Sequence, residues 1–114
     1  MRAARLAPLL AALAACLPLV GAPARAADAE AMLVIKNNRF EPAELKVPAG
    51  QRVKLVVHNQ DNKAEEFESK ALKSEKVIPA GGKATIFIGP LKPGRYDFVG
   101  EYHEATAKGV VIAE

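Results

Sequence analysis

Short β-type segments, separated by turns that contain proline or glycine, fill the chain from residue 27 to residue 114. Residues 52–58 show the pattern most clearly, because apolar Val53, Leu55 and Val57 alternate with other side chains, and a period of two marks a half-buried strand. About eight such segments at intervals of about ten residues predict an all-β fold, a single antiparallel Greek-key β-sandwich of about seven to eight strands. The predicted strands are 32–35, 45–47, 52–58, 66–69, 76–78, 84–88, 95–101 and 109–113.

The first 26 residues have the composition of an export signal rather than of a folded segment. Arg2 and Arg5 form a basic start, residues 6–21 are mostly apolar, and residues 24–26 read Ala-Arg-Ala, which suits signal peptidase. The apolar run is short for a membrane span and is interrupted by Pro8 and Pro18. The sequence therefore predicts a signal peptide over residues 1–26, one domain over residues 27–114, and a periplasmic location.

Cys16 is the only cysteine of the chain and leaves a second route of processing open. Residues 13–16 read Leu-Ala-Ala-Cys, which fits a lipoprotein box, but the apolar run continues beyond Cys16. Soluble export is therefore favoured over lipid anchoring. On either route the domain has no free thiol and no disulfide, so its core must hold it together.

The net charge of +3 comes from the presequence. Three of the 16 basic residues lie before residue 27, which leaves 13 basic residues against all 13 acidic ones. A balanced domain of this kind gives no indication of a nucleic-acid partner.

The order and spacing of several turn motifs resemble the cupredoxin superfamily over essentially the whole of residues 27–114. The motifs are Phe40-x-Pro42, Val-Pro-Ala-Gly at 47–50, Asn59-x-Asp61, Pro-Gly-x-Tyr-x-Phe at 93–98, His103 and Gly109. The resemblance implies a cupredoxin-like sandwich with its ligand loop near His103.

The ligands of a blue-copper centre, however, are mostly missing. Such a centre needs a thiolate, two imidazoles and usually a weak axial thioether. By the family pattern, Glu65 or Glu66 replaces the first histidine, Gly100 replaces the cysteine, and one of residues 106–108 replaces the methionine. Since only His103 remains, the sequence excludes type 1 copper and electron transfer by it.

A narrower resemblance joins the chain to cupredoxin-like proteins encoded beside bacterial iron-uptake permeases. It rests on residues 66–69, 77–79, 88–94 and 100–103. It implies a periplasmic accessory protein that binds iron or Cu(II), with an inner-membrane iron permease or another periplasmic iron-uptake subunit as partner.

The candidate metal ligands are His103 and four glutamates. If the sandwich brings residues 65–68 beside the last loop, alternation places Glu66 with Glu68 on one strand face, and Glu101 with His103 on another. Carboxylates with one imidazole suit Fe(II), Fe(III) or Mn(II), and also Cu(II) or Zn(II) through the imidazole. The predicted set is Glu65, Glu66, Glu68, Glu101 and His103.

Other interpretations stay open. Clustered glutamates on a small domain are often only a solvated face. The loop end would then be a metal-free module that docks a permease or another periplasmic subunit, and a homodimer is a further alternative. An enzyme is disfavoured, because one mononuclear site has no electron acceptor, and any oxidation of ferrous iron would depend on a partner.

Overall fold

The computed structural model describes residues 3–4 and 28–114. The predicted signal peptide, apart from residues 3–4, and Cys16 lie outside these residues. Within the described part, the predicted all-β class is confirmed, with nine strands and a single turn of 3-10 helix. The strands are β1 Ala29–Lys36, β2 Arg39–Glu41, β3 Glu44–Val47, β4 Val53–Asn59, β5 Glu65–Ser69, β6 Ser74–Ile78, β7 Lys83–Ile88, β8 Gly94–Gly100 and β9 Lys108–Ala113.

The strands form two packed sheets. The first has the order β2-β1-β4-β7 and the second the order β3-β9-β8-β5-β6. The prediction of a purely antiparallel sandwich is wrong for two pairs, because β1 lies parallel to β4 and β3 lies parallel to β9. Alternation of side chains predicts the buried face of a strand but not the direction of its neighbour. Here the chain leaves the first sheet through β3 before β4 returns to it.

The core lies between the inward faces of the two sheets. Strand β4 contributes Val53, Leu55 and Val57, which are fully buried, as its sequence period predicts. Phe98 packs against Phe40 edge to face at 4.9 Å and against Phe67 at 5.1 Å between ring centroids. Since Phe67 points into this core, the side chains on either side of it in β5 project from the opposite face.

Side-chain hydrogen bonds fix the loops at the end of the sandwich where the candidate ligands lie. The Asp61 carboxylate accepts hydrogen bonds from the backbone N–H groups of Asn37 at 2.8 Å and Asn38 at 2.9 Å. Both residues have positive φ, 53° and 56°, a conformation that asparagine tolerates better than most residues. Thr106 donates from Oγ1 to the Asn38 carbonyl at 2.6 Å, so the last loop is tied to the β1–β2 hairpin.

Residues 3–4 and 28–114 contain no helix with the length and apolar character needed to cross a bilayer.

Candidate metal centre

The last loop begins with a 3-10 turn at Glu101–His103, directly after β8. The prediction that Glu101 and His103 share one face of a strand is therefore wrong, because β8 ends at Gly100. The loop closes on itself: the Gly100 N–H donates to the Ala107 carbonyl at 2.8 Å, and the Ala107 N–H donates to the His103 carbonyl at 2.8 Å. This closure presents Glu101 and His103 in different directions from a compact turn.

Glu65 lies inside the protein and is only 1% exposed. Its Oε1 accepts hydrogen bonds from the backbone N–H groups of Glu66 and Tyr102, each at 3.0 Å. Its Oε2 lies 2.6 Å from Nδ1 of His103, whose side chain is 22% exposed. One buried carboxylate therefore connects β5 to the 3-10 turn, and both of its oxygens have partners. We call Glu65 and His103 the inner pair.

The residues around the inner pair do not fit type 1 copper. A Cβ added at Gly100 would lie 2.6 Å from Cβ of Ala107 and 2.7 Å from Cδ of Glu65. The four positions that the resemblance assigns to copper ligands thus meet, but they supply one carboxylate, one imidazole and no sulfur. The Glu65 carboxylate also occupies the space that a side chain at Gly100 would need. This donor set lacks the thiolate and the second imidazole of a blue-copper centre.

A second group of acidic side chains lies on the other face of β5, away from the core. Glu66, Glu75 and Glu101 each offer one carboxylate oxygen, and these oxygens all lie within 4.8 Å of one another. Glu68 lies directly opposite Glu75 in the antiparallel pairing of β5 with β6. We call Glu66, Glu68, Glu75 and Glu101 the outer carboxylate cluster.

Hydrogen bonding and repulsion between neighbouring carboxylates raise the pKa of two members of this cluster, Glu66 and Glu101. A hydrogen bond with Glu75, partial burial and the nearby carboxylates of Glu101, Glu75 and Glu68 raise the pKa of Glu66 to about 7. A hydrogen bond with Glu68 and the charge of the same residue raise the pKa of Glu101. Since like charges at short range cannot all ionise without cost, the Glu66 carboxyl group of the metal-free cluster is partly protonated near neutral pH.

The spacing of the outer cluster suits a single cation. An ion at about 2.0–2.6 Å from each ligand spans oxygens up to about 5 Å apart. Three carboxylates form a hard, anionic ligand set that favours iron, manganese or another oxygen-loving ion over Cu(I). Binding would release the retained proton and relieve the repulsion among the carboxylates.

A groove of about 520 Å³ runs beside the outer cluster. Four acidic residues and one lysine line it, together with Ser69 and Phe98; the charged residues are Glu68, Lys70, Asp97, Glu101 and Glu104. The Ser69 hydroxyl has no proton left to donate to a ligand there, because it donates to the Asp97 carbonyl at 2.6 Å and accepts from the Leu72 N–H at 3.0 Å. The groove extends the acidic surface around the cluster.

The five predicted ligands therefore fall into two groups. Glu66, Glu68 and Glu101 lie in the outer cluster, whereas Glu65 and His103 pair with each other. Sequence reasoning missed Glu75, although a signal was present: a hairpin through residues 70–73 places Glu75 opposite Glu68.

The comparison with protein families gives a match over most of the chain. A sequence model described as a cupredoxin-like domain matches residues 9–113. An uncharacterized protein of Rickettsia prowazekii (strain Madrid E) is 39% identical over 83 residues, which are 73% of this chain and 66% of that protein. The chain thus spans just under two thirds of the length of this relative.

Solved structures share the fold at low sequence identity. Auracyanin A, a blue copper protein from Chloroflexus aurantiacus, superposes with a TM-score of 0.65 at 14% identity, covering 77% of this chain and 100% of auracyanin. A purple cupredoxin from Nitrosopumilus maritimus gives a TM-score of 0.58 at 18% identity, covering 74% of this chain and 99% of the other. Both agree with the two-sheet architecture described above. By its sequence match and its architecture, the chain belongs to the cupredoxin-like domain family.

Proposed function

We propose that this protein is a periplasmic metal-binding accessory protein of a bacterial iron-uptake system, and that it binds its ion through the outer carboxylate cluster. The observation that carries the proposal is the convergence of Glu66, Glu75 and Glu101, whose oxygens lie within 4.8 Å of one another. A cross-strand pair of like charges is destabilising in an ordinary sheet. A bound cation would compensate for that cost.

The ligand chemistry of the outer carboxylate cluster suits iron better than a redox-active copper ion. The cluster contains carboxylates and no sulfur, so it suits Fe(II), Fe(III) or Mn(II), and it would hold Fe(III) more tightly because of its charge. The three clustered carboxylates include no imidazole, a ligand type that suits Cu(II) well, and Nδ1 of His103 is engaged by Glu65. The assignment to iron uptake, to the periplasm and to a permease partner rests on the sequence resemblance and on the predicted signal peptide.

A metal-free docking module is the second candidate, and one observation favours it. Two large apolar side chains flank the outer cluster: Tyr102 is 51% exposed and Val77 is 48% exposed. Val77 lies opposite Glu66 across the β5–β6 pairing. Exposed aromatic and aliphatic side chains beside charged groups are typical of protein-protein contacts. A permease or another periplasmic subunit would then bind this surface directly.

Calorimetric titration distinguishes the two candidates. Residues 27–114, which contain every described strand, are titrated with anaerobic Fe(II), Mn(II) and Cu(II), and the same titrations are repeated with Glu75→Gln and Glu30→Gln. Glu30 is an exposed glutamate on β1 and serves as the matched control. The proposal expects one site that weakens at least tenfold in Glu75→Gln and is unchanged in Glu30→Gln. Absence of binding by all three ions would reject metal carriage.

The physiological part of the proposal needs a separate measurement. Iron import is compared in cells that have or lack the protein, with the Glu75→Gln variant as a third strain. Slower import without the protein, not restored by Glu75→Gln, would support a role in iron uptake. Restoration by the variant would indicate that the protein acts by docking.

A further inference from the structure

The first sheet has an outward face, on the side of the molecule away from the second sheet. Alternate residues of β4 are fully buried, so the residues between them point away from the core. Each outward residue of β4 lies opposite one outward residue of β1 and one of β7. We call this surface the first-sheet face, and its three rows are Glu30-Lys54-Phe87, Met32-Val56-Thr85 and Val34-His58-Lys83.

The centre of the first-sheet face is apolar. Met32 is 53% exposed and Phe87 is 50% exposed, and Val34 and Val56 beside them are half-buried. Charged side chains surround this centre. A group of exposed apolar side chains with a polar rim marks an interaction surface.

The charges of the face are divided along the line between β1 and β4. Oε1 of Glu30, on β1, lies 3.7 Å from Nζ of Lys54 on β4. Oδ2 of Asp28, just before β1, lies 3.7 Å from Nε of Arg52, just before β4. The β1 side of the line is therefore acidic at this end, and the β4 side is basic.

This division makes the face complementary to itself. A two-fold axis that runs along the strands between β1 and β4 would place β1 of one copy over β4 of the other. Glu30 of each copy would then face Lys54 of the second copy, and Met32 would face Val56. Apolar residues meet apolar ones, and each acidic side chain meets a basic one.

The flanking strands follow the same rule. Glu41 of β2 lies in the row of Val34, as Lys83 of β7 does, so the axis would bring Glu41 over Lys83 of the second copy. Lys36 and Arg39 lie beyond this last row and have no acidic counterpart in the arrangement. They belong to the rim, where charged side chains stay in contact with water.

We propose that the first-sheet face is a self-association surface, on which two copies of this chain pack sheet against sheet about this axis. An interface that uses the same patch on both subunits has to be self-complementary in this way. Rotation about an axis along the strands keeps the strand directions aligned, as face-to-face sheet packing requires. The inference goes beyond the proposed function, because the outer carboxylate cluster lies on the other sheet and would stay accessible in both copies.

The size of the face predicts a weak and reversible dimer. Four strands about 4.8 Å apart and about seven residues long cover roughly 400 Å², whereas a stable complex buries about 800 Å² on each partner. In a small interface, complementary charges determine which partner and which register are accepted. An anionic lipid surface fits less well, because Asp28, Glu30 and Glu41 would face its phosphates.

Sedimentation of residues 27–114 at increasing protein concentration, with a chelator present, tests self-association. The wild type is expected to pass from monomer towards dimer between about 10 μM and about 1 mM. Met32→Lys, at an exposed position in the centre of the face, should weaken the dimer at least tenfold. A wild type that stays monomeric over the whole range would overturn the proposal, and so would a dimer that Met32→Lys leaves unchanged.

Two charge reversals test the axis itself. Glu30→Lys and Lys54→Glu each place like charges opposite one another in the dimer, so each variant alone should associate at least tenfold more weakly than the wild type. In an equimolar mixture the two altered side chains face each other with opposite charges, and so do the two unaltered ones. The mixture should therefore recover the association. Absence of recovery between two folded variants, shown by their thermal midpoints, would overturn the proposed axis.

Glu44→Lys is the matched control for these reversals. It changes an ion pair of similar length on the second sheet, in which Oε1 of Glu44 lies 3.9 Å from Arg95, and it should leave association unchanged. Phosphatidylglycerol vesicles test the competing occupant. A monomeric protein that cosediments with these vesicles, and loses this binding in Met32→Lys, would overturn the proposal and show that the face binds lipid.

Discussion

A single methyl group added at Gly100 is expected to destabilise the fold, because the inner pair occupies the space beside this residue. The Cβ of Gly100→Ala would lie 2.6 Å from Cβ of Ala107 and 2.7 Å from Cδ of Glu65. Favourable contacts between carbon atoms are about 3.5–4.0 Å long. Two neighbours would therefore have to move by about 1 Å each, and one of them is held by three hydrogen bonds.

The magnitude follows from the cost of adding atoms to a packed interior. Overpacking of this kind costs about 1–3 kcal/mol. For a domain of this size, about 2 kcal/mol lowers the thermal midpoint by roughly 8–16 °C. We therefore expect the midpoint of Gly100→Ala to lie about 10 °C below that of the wild type.

Thermal and urea unfolding of residues 27–114, followed by circular dichroism, measure this effect. The double variant Gly100→Ala/Ala107→Gly removes one of the two close contacts and should recover part of the loss. Recovery is expected to be incomplete, because the contact with Glu65 remains. A midpoint of Gly100→Ala within 2 °C of the wild type would contradict the packing described here, since the two neighbours would then have moved at no cost.

Four further outcomes are expected. The pKa of Glu66 is raised to about 7 in the folded protein, so the folded state binds this proton more tightly than the unfolded state, and the free energy of unfolding falls as pH rises towards that pKa. Melting curves recorded from pH 5 to pH 8 should show this fall, and the variant Glu66→Gln should reduce it. Glu75→Gln removes a like charge opposite Glu68 and should stabilise the metal-free protein by about 0.2–1 kcal/mol. The same variant should weaken Mn(II) binding at least tenfold, as measured by calorimetry. A variant less stable than the wild type would argue against repulsion in the cluster. Asp61→Ala removes the acceptor of two backbone N–H groups and should lower the free energy of unfolding, measured in urea, by about 2 kcal/mol. An unchanged free energy of unfolding would mean that water fully replaces the carboxylate. Phe98→Ala should cost about 3–5 kcal/mol, and a smaller loss would mean that the aromatic core collapses around the cavity.

The strands were predictable wherever apolar residues alternate. Residues 52–58 show a clear period of two, and β4 covers Val53–Asn59 with alternate side chains buried. The short β2 and the two parallel pairings were not predictable, because they depend on how the chain passes between sheets. Pairing partners are long-range features that no local pattern contains.

The sequence allowed a prediction of which segments meet at the candidate site, but not of how their side chains are arranged there. The alternation in β5 that places Phe67 in the core also places Glu65 on the inward face, so the separation of Glu65 from Glu66 was implicit in the sequence. The 3-10 turn was not implicit, because it depends on a loop closure in which the Gly100 N–H donates to the Ala107 carbonyl and the Ala107 N–H donates to the His103 carbonyl. Without that turn, His103 and Glu101 were assigned to one strand face, and the inner pair was not foreseen.

The position of β9 in its sheet determines when the domain can assemble. Lys108–Ala113 lies between β3 and β8, and it is the strand that pairs with β3 in the described structure. Residues 44–47 therefore pair with a strand that lies more than 60 residues later in the sequence. Pairings of such large sequence separation carry a high entropic cost and form slowly. A chain emerging from the ribosome cannot complete this sheet until residues 108–113 are available, so nearly all of the domain must be synthesised before the sheet can close.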